Sequence, residues 1–431
     1  MRIEVFRSKR FLYILSYCFI IALLVSVFVI VICWKDLPHL SSDSYWYIEL
    51  AEGRPYNVVK PFSSRILHPA VVRVISGIGN LNISQSFFVV GFLALVALIT
   101  EVLLMLRLTT PYSPVIGVAI VFTPFLLHLF RDYYLPDLFH ASLLGLFLIL
   151  LMNQKLLASL LILLLLHLTR ESTILLSLCI VLVCLYKSQR RYAIAVFAIT
   201  AIGMFFTSIA TRLGQPNIHE INTFLYMLFK IPFNFSKNIL GVQLWTNTLA
   251  LRCSESFPHD PIFTVSIPSW LRLGSIRAIG IYDFNPLRPL KTLQLLLTLF
   301  GIAPTLVIFS LKKVRKQILI NNSVWFLVAL MYGLVSFFVG TSLGTSVRRL
   351  IGYGWPAFWV VTPVLMVRYY YLDRRHSIHL LLYHVILCWV PYFVNYFQVR
   401  LALSIGIVLF VAFLIHYLAF KTLHEMNNKI L

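Results

Sequence analysis

Charge is scarce in this chain. Of 431 residues only 12% are Asp, Glu, Lys or Arg, whereas a soluble domain carries about 25%, and 60% are hydrophobic, with a mean hydropathy of +0.87. These values exclude an ordinary soluble domain and indicate an integral membrane protein. Other features are missing too. No Gly/Ser-rich or Pro-rich linker and no internal repeat divides the sequence, so residues 1–431 read as a single transmembrane domain without an attached soluble one. The first apolar run, 11 to 33, has no small-residue cleavage site before "WKDLPHLSSD" and does not read as a signal peptide. The six cysteines offer no disulfide framework, because Cys18, Cys33, Cys179, Cys184 and Cys388 lie in or at the end of apolar runs and only Cys253 lies outside them. The net charge of +21 comes with no basic face or recognition helix, which excludes nucleic acid as a partner.

What the chain has in abundance is apolar runs of nearly membrane-crossing length, about 17 to 25 residues for a helix. The expected fold is an all-α polytopic membrane protein with about 12 spans (10 to 13). They fall at 11 to 33, 84 to 106, 114 to 130, 137 to 152, 155 to 169, 172 to 186, 190 to 210, 291 to 311, 323 to 343, 354 to 372, 378 to 397 and 400 to 420. The run at 155 to 169 is short enough to form a re-entrant pair with a neighbour. The basic clusters "RSKR", "KSQRR", "KKVRK" and "DRRH" all fall on one side of this arrangement, which the positive-inside rule makes cytoplasmic, together with both termini.

The acids then segregate. Asp36, Asp43, Glu49, Glu52, Asp132, Asp137, Glu171, Glu220, Glu255, Asp260 and Asp283, 11 of the 15, lie on the external side. Charge at the membrane edge is costly and marks function or a specific pairing. The first external loop, 34 to 69, holds "SSDSYWYIELAEGRPYNVVKPFSSRILHP". A short interfacial helix is expected there, capped by Ser41 or Ser42 and ended by Gly53, with Tyr45, Trp46 and Tyr47 at headgroup depth. Asp43 in its first turn stays ionised readily. It suits a divalent cation or proton abstraction from a hydroxyl, and equally a plain helix cap. Glu49 and Glu52 read as a solvated face with Arg54. Arg65, followed by His68 at the outer interface, suits a phosphate or a carboxylate.

A second external loop, 130 to 140, reads "FRDYYLPDLFH" and gathers Arg131, Asp132 and Asp137, either as an Arg-Asp pair with a helix-start acid or as a site. "HLTRES" places Arg170 and Glu171 between apolar runs, where mutual neutralisation is the simplest account. "GTSLGTSVRRLIGYGWP" carries Arg348 and Arg349 against the positive-inside trend, as expected of a holder for an anionic headgroup or lipid-linked phosphate. The long external segment, 211 to 290, contains "TFLYMLFKIPFNFSKNIL", which suits the membrane surface.

An acid-bearing loop after the first span, "DSYWYIELA", and an acidic loop after the third, "RDYYLPD", with "LTRES" in support, resemble the layout of the GT-C superfamily of polytopic glycosyltransferases. That superfamily includes oligosaccharyltransferases, protein mannosyltransferases and lipid A aminoarabinose transferases. The resemblance covers the N-terminal half, and the chain departs from the family in having no C-terminal soluble domain and no clear paired-acid motif. It implies a GT-C-like bundle in the bacterial plasma membrane, with its active face non-cytoplasmic. Sugar would pass from a polyprenyl-phosphate-linked donor to a glycan, lipid or protein acceptor. Asp43 would match the first-loop base, and Asp132 and Asp137 the second-loop acids of an acceptor or metal site. Arg65, Arg348 and Arg349 would meet the phosphate, supported by Tyr47, His68, Arg131, Arg170 and Glu171. Any cofactor would be a divalent cation. The competing readings are an O-antigen-type polymerase or ligase and, in a different class, a polytopic transporter or lipid flippase. The latter usually places ionisable residues near the bilayer midplane.

Overall fold

The computed structural model describes residues 9–41, 43–59, 62–214, 230–246, 261–272, 276–343, 346–370 and 374–430. Cys253, Glu220, Glu255 and Asp260 lie outside them. Helices dominate, as an apolar chain requires where water is not available to satisfy backbone groups. Among the described residues six helices are long and apolar enough to cross a membrane. Two of these spans, Ile83–Thr109 and Val324–Ser342, are 72% buried and form the centre; the other four, Phe11–Asp36, Arg190–Leu213, His376–Tyr396 and Leu401–Glu425, are only 22–28% buried and form the periphery. Phe197, Phe205, Phe410 and Tyr417 on the peripheral helices are exposed, as lipid-facing rings would be. The chain is thus a helical protein built for a membrane.

Two expected spans are instead bent helix pairs, raising the count to eight if each pair is one crossing. The run at 114 to 130 breaks into α5 (Pro114–Val121) and α6 (Pro124–Arg131), bent by 70°. Pro124 lacks the N–H that would continue the helix and keeps Thr123 extended. The run at 291 to 311 breaks into α11 (Leu287–Thr298) and α12 (Ala303–Asn321), bent by 72°. Gly301 turns that corner at φ +53°, where a Cβ would sit 2.6 Å from His384 Nδ1. The expected spans at 137 to 152, 155 to 169 and 172 to 186 are helices of 14–16 residues, α7 (Asp137–Met152), α8 (Leu156–Thr169) and α9 (Thr173–Tyr186).

The loop at 34 to 69 contains the expected helix, α2 (Ser44–Ala51), with Asp43 just before it and Gly53 beyond it at φ +82°. It packs on α3 (Leu67–Gly79), which leads into α4 (Ile83–Thr109). An Asn82–Gln85 capping box starts α4, with reciprocal hydrogen bonds of 2.8 and 3.1 Å. One feature is not helical. Within 211 to 290, β1 (Val242–Thr246), β2 (Phe263–Ser266) and β3 (Ala278–Phe284) form an antiparallel sheet in the order β1-β3-β2. The β-branched and aromatic content of these short runs fits strands. Of the expected surface segment 223 to 240, the described part exposes Ile231 and Phe235 but buries Asn238, whose amide donates to the Thr341 carbonyl at 2.8 Å.

Candidate functional site

One end of the bundle gathers Asp36, Asp43, Asp132, Asp137 and Glu171 with Arg65, Arg131, Arg170 and Arg349 into two adjoining networks. The first is centred on Asp137, buried at the start of α7 where Pro136 sets the helix going. Its carboxylate meets the Arg170 guanidinium from the α8–α9 turn and accepts a hydrogen bond from the Tyr353 hydroxyl, and Arg170 also donates to that hydroxyl. The Arg170 guanidinium lies over the Tyr353 ring, 4.9 Å from its centroid. On the other side of Asp137 is Arg349, with Nε 3.6 Å from Oδ2. Arg349 and Tyr353 are four apart, at and just beyond the short helix α14 (Val347–Gly352), and so reach the same carboxylate.

Arg349 also reaches Asp43, 3.6 Å from Nη2 to Oδ2. Asp43 makes no side-chain capping bond. The Ser44 hydroxyl accepts from the Ser41 amide at 3.0 Å, a bond within the turn that leads into α2, and the expected capping bond from Ser41 is not made. This answers the cap alternative: the carboxylate is turned toward Arg349 and stays partly exposed. Attraction to the Asp137 carboxylate outweighs burial and holds the Arg349 guanidinium still more firmly protonated than usual.

Beside this network Arg65 donates to Glu171 through Nε at 2.9 Å and Nη2 at 2.7 Å, and to the Tyr47 hydroxyl through Nη1 at 2.7 Å. Burial alone would raise the Glu171 carboxyl; the Arg65 guanidinium reverses this and holds it down at about 2. Of the two partners expected for Arg65, a phosphate or a carboxylate, the structure shows the carboxylate, that of Glu171. Arg170 and Glu171 do not neutralise each other; each pairs across the fold. Tyr47, expected at headgroup depth, is fully buried beneath Arg65.

The second network surrounds Asp132. His39 Nδ1 lies 2.8 Å from its Oδ1 and His128 Nε2 lies 3.6 Å from its Oδ2, while Arg131 turns instead to Asp36 at 3.7 Å. Asp132 and Arg131 are thus no pair. Arg348 has no carboxylate within 4.0 Å among the described residues. It lines two cavities, of about 140 and 260 Å³, which also share His128 and Leu295.

Two further expectations are corrected. His68 is not at the interface but buried between Phe87 and Phe139, each ring 5.3 Å away, and burial lowers its pKa to about 3, so it is neutral. Glu49 is not solvated. It is buried, accepting two hydrogen bonds of 2.8 Å from Arg54 and one of 2.7 Å from Asn57, and so closes the loop behind α2. Among the described residues no group of three or more His, Cys, Asp or Glu is arranged to hold a metal ion. Sequence reasoning missed Tyr353, His39 and His128; the one available signal was spacing, Tyr353 four after Arg349 and His128 four before Asp132. Comparison with family models, curated proteins and solved structures gives no match.

Proposed function

We propose that the chain is a membrane glycosyltransferase that moves a sugar from a polyprenyl-phosphate-linked donor to a glycan, lipid or protein acceptor. The observation that carries this reading is the division of labour on α14: Arg349 orients Asp43, the less buried acid of the first network, while Arg348 next to it lines a cavity without a carboxylate partner. An acceptor hydroxyl oxygen attacks the anomeric carbon and gives its proton to the Asp43 carboxylate. The bond from that carbon to the phosphate oxygen breaks with inversion, and the departing lipid phosphate keeps the electron pair, its charge stabilised by Arg348. Asp137 and Arg170 hold Arg349 and Tyr353 in place rather than touching substrate. In this reading the short apolar helices α7, α8 and α9 and the helical stretch 356–370 also cross, which with the eight gives 12 spans in a bacterial plasma membrane with both termini cytoplasmic and the site facing outward.

The test is transfer of labelled sugar by the protein in lipid nanodiscs, using polyprenyl-phosphate sugars and membrane acceptor fractions. Transfer is expected, and Asp43→Asn should lower it by roughly 10²- to 10⁴-fold, the range of general-base catalysis. Full activity in that variant removes Asp43 from the mechanism. One observation favours a second reading, a transporter or flippase: the two bent helix pairs flank the same cavities, as broken helices do in transporters. Substrate crossing proteoliposomes without covalent product would establish it.

A further inference from the structure

A third cavity, of about 520 Å³, is larger than either at the charged end and falls in the range of about 300–1,000 Å³ usual for small-molecule sites. It lies where the two broken spans turn: Ile120 at the end of α5 and Ile302 and Ala303 at the start of α12 line it. His384, on the span His376–Tyr396, joins the two corners. Pro124 cannot donate to the Ile120 carbonyl, its partner in a continuous helix, and His384 Nε2 donates to that carbonyl instead at 3.2 Å. Gly301, at the other corner, packs against the same ring. Cys388, one turn on, lines the cavity of about 140 Å³ at the charged end, so a single helical turn separates the two spaces.

The chemistry of the two ends differs. Around the larger cavity the described residues include no Asp, Glu, Lys or Arg, and Leu306, Phe358, Met366 and Leu381 give it hydrocarbon walls. Polar groups enter at few points. The Thr362 hydroxyl donates to the Ala357 carbonyl at 2.9 Å, and His384 is engaged at the corners. Tyr112, just before α5, hydrogen-bonds Ser377 near the start of the span His376–Tyr396, and one such bond leaves a phenolic hydroxyl with capacity for another. Beside Ser377, Ile378 lines the cavity and is 54% exposed on this peripheral helix, so the space reaches the lipid-facing surface there.

We propose that this cavity binds an uncharged single-chain lipid, its hydroxyl at Tyr112 and its chain along Leu306, Phe358 and Met366 toward His384. An ionic headgroup is excluded, because an unpaired charge is expensive to bury and the lining offers no counter-charge. The lipid enters sideways past Ile378 and stops at the His384 layer, so it does not reach Asp43 or Arg348. The site is independent of the glycosyltransferase reading.

The full-length protein in detergent is titrated with oleyl alcohol, with oleate and with octadecene, each read by native mass spectrometry and by the shift in unfolding temperature. The alcohol is expected to bind more tightly than oleate by about tenfold or more, the cost of burying an unpaired carboxylate. It should exceed the alkene by about three- to tenfold, the usual worth of one neutral hydrogen bond. Tyr112→Phe should bring the alcohol down to the level of the alkene and leave the alkene unchanged, which a folding defect would not. Ala303→Phe, which directs a ring into the cavity, should abolish binding of both. A photoreactive octadecanol with a mid-chain diazirine locates the site in the wild-type protein, so a decision is reached even where Ala303→Phe does not fold. Adducts are expected on Leu306, Met366 or Leu381. Adducts confined to the lipid-facing rings of Phe410 and Tyr417, or undiminished alcohol binding in folded Ala303→Phe, overturn the site. Oleate binding as tightly as the alcohol overturns the uncharged assignment, and the alkene doing so removes the Tyr112 anchor.

Discussion

Arg348 and Arg349, neighbours in the chain, serve opposite partners: Arg349 lies 3.6 Å from each of Asp43 and Asp137, and Arg348 has no carboxylate within 4.0 Å among the described residues and opens onto a cavity lined by Lys291. One turn of helix thus orders an acid and leaves an unpaired cation next to it. The contrast between Asp43 and Asp137 follows from the same geometry.

Asp137 is expected to matter for folding rather than for chemistry. Asp137→Asn keeps the volume but leaves the Arg170 guanidinium buried without its counter-charge, a change that typically costs about 3–5 kcal/mol. Asp43→Asn, at a long contact on a partly exposed carboxylate, should change stability by no more than about 1 kcal/mol. Unfolding temperatures in detergent should therefore separate the two variants widely; equal losses would mean that Asp43 is as structural as Asp137.

The Arg65–Glu171 pair sets an acid limit. The Glu171 carboxyl is held at about 2, against roughly 4.3 in an unfolded chain. Its folded pKa is thus depressed, so the stabilisation is fully present above about pH 4.3 and is lost as the pH falls toward 2. Glu171→Gln should unfold at a lower temperature than wild type at pH 7, and that gap should close between about pH 4.3 and 2. A gap that widens on acidification would show the pair's sign to be wrong.

A single methyl group should disturb the site without touching a charge. At Gly352 a Cβ would collide with the Phe125 ring at Cζ, and that ring is wedged against Phe300 and Trp359, 5.7 and 5.8 Å between centroids. Gly352→Ala should cost about 1–3 kcal/mol as overpacking and lower activity by shifting α14 with both its arginines. Gly406→Ala, where nothing lies within 4 Å of the new Cβ, is the control and should leave both unchanged.

Much of the site was legible as a set of loops and little of it as a set of pairs. Hydropathy marked the helices, and the Ser-Asp-Ser start and Gly53 marked α2, because these depend on neighbours in sequence. The pairings did not follow from neighbours. Arg170 and Glu171 looked self-neutralising, yet adjacent side chains point apart, and their partners Asp137 and Arg65 are 33 and 106 positions away. Glu49 looked solvated because its spacing from Glu52 suits a surface face, whereas Arg54 and Asn57 fold back over it. The broken spans were hidden for a related reason: continuous hydropathy says nothing of a corner, and only Pro124 and Gly301 carry it.

The order in which the chain is made gives the Asp137 network a further meaning. Asp137, Arg170, Arg65 and Glu171 all emerge well before Arg349 and Tyr353, and they form two opposite-charge pairs among themselves. The N-terminal half can therefore enter the membrane with its buried charges balanced and wait in that state. Arg349 then arrives as the second cation beside Asp137 and the one that reaches Asp43, so the contact between the two loops forms only after the buried pairs are complete.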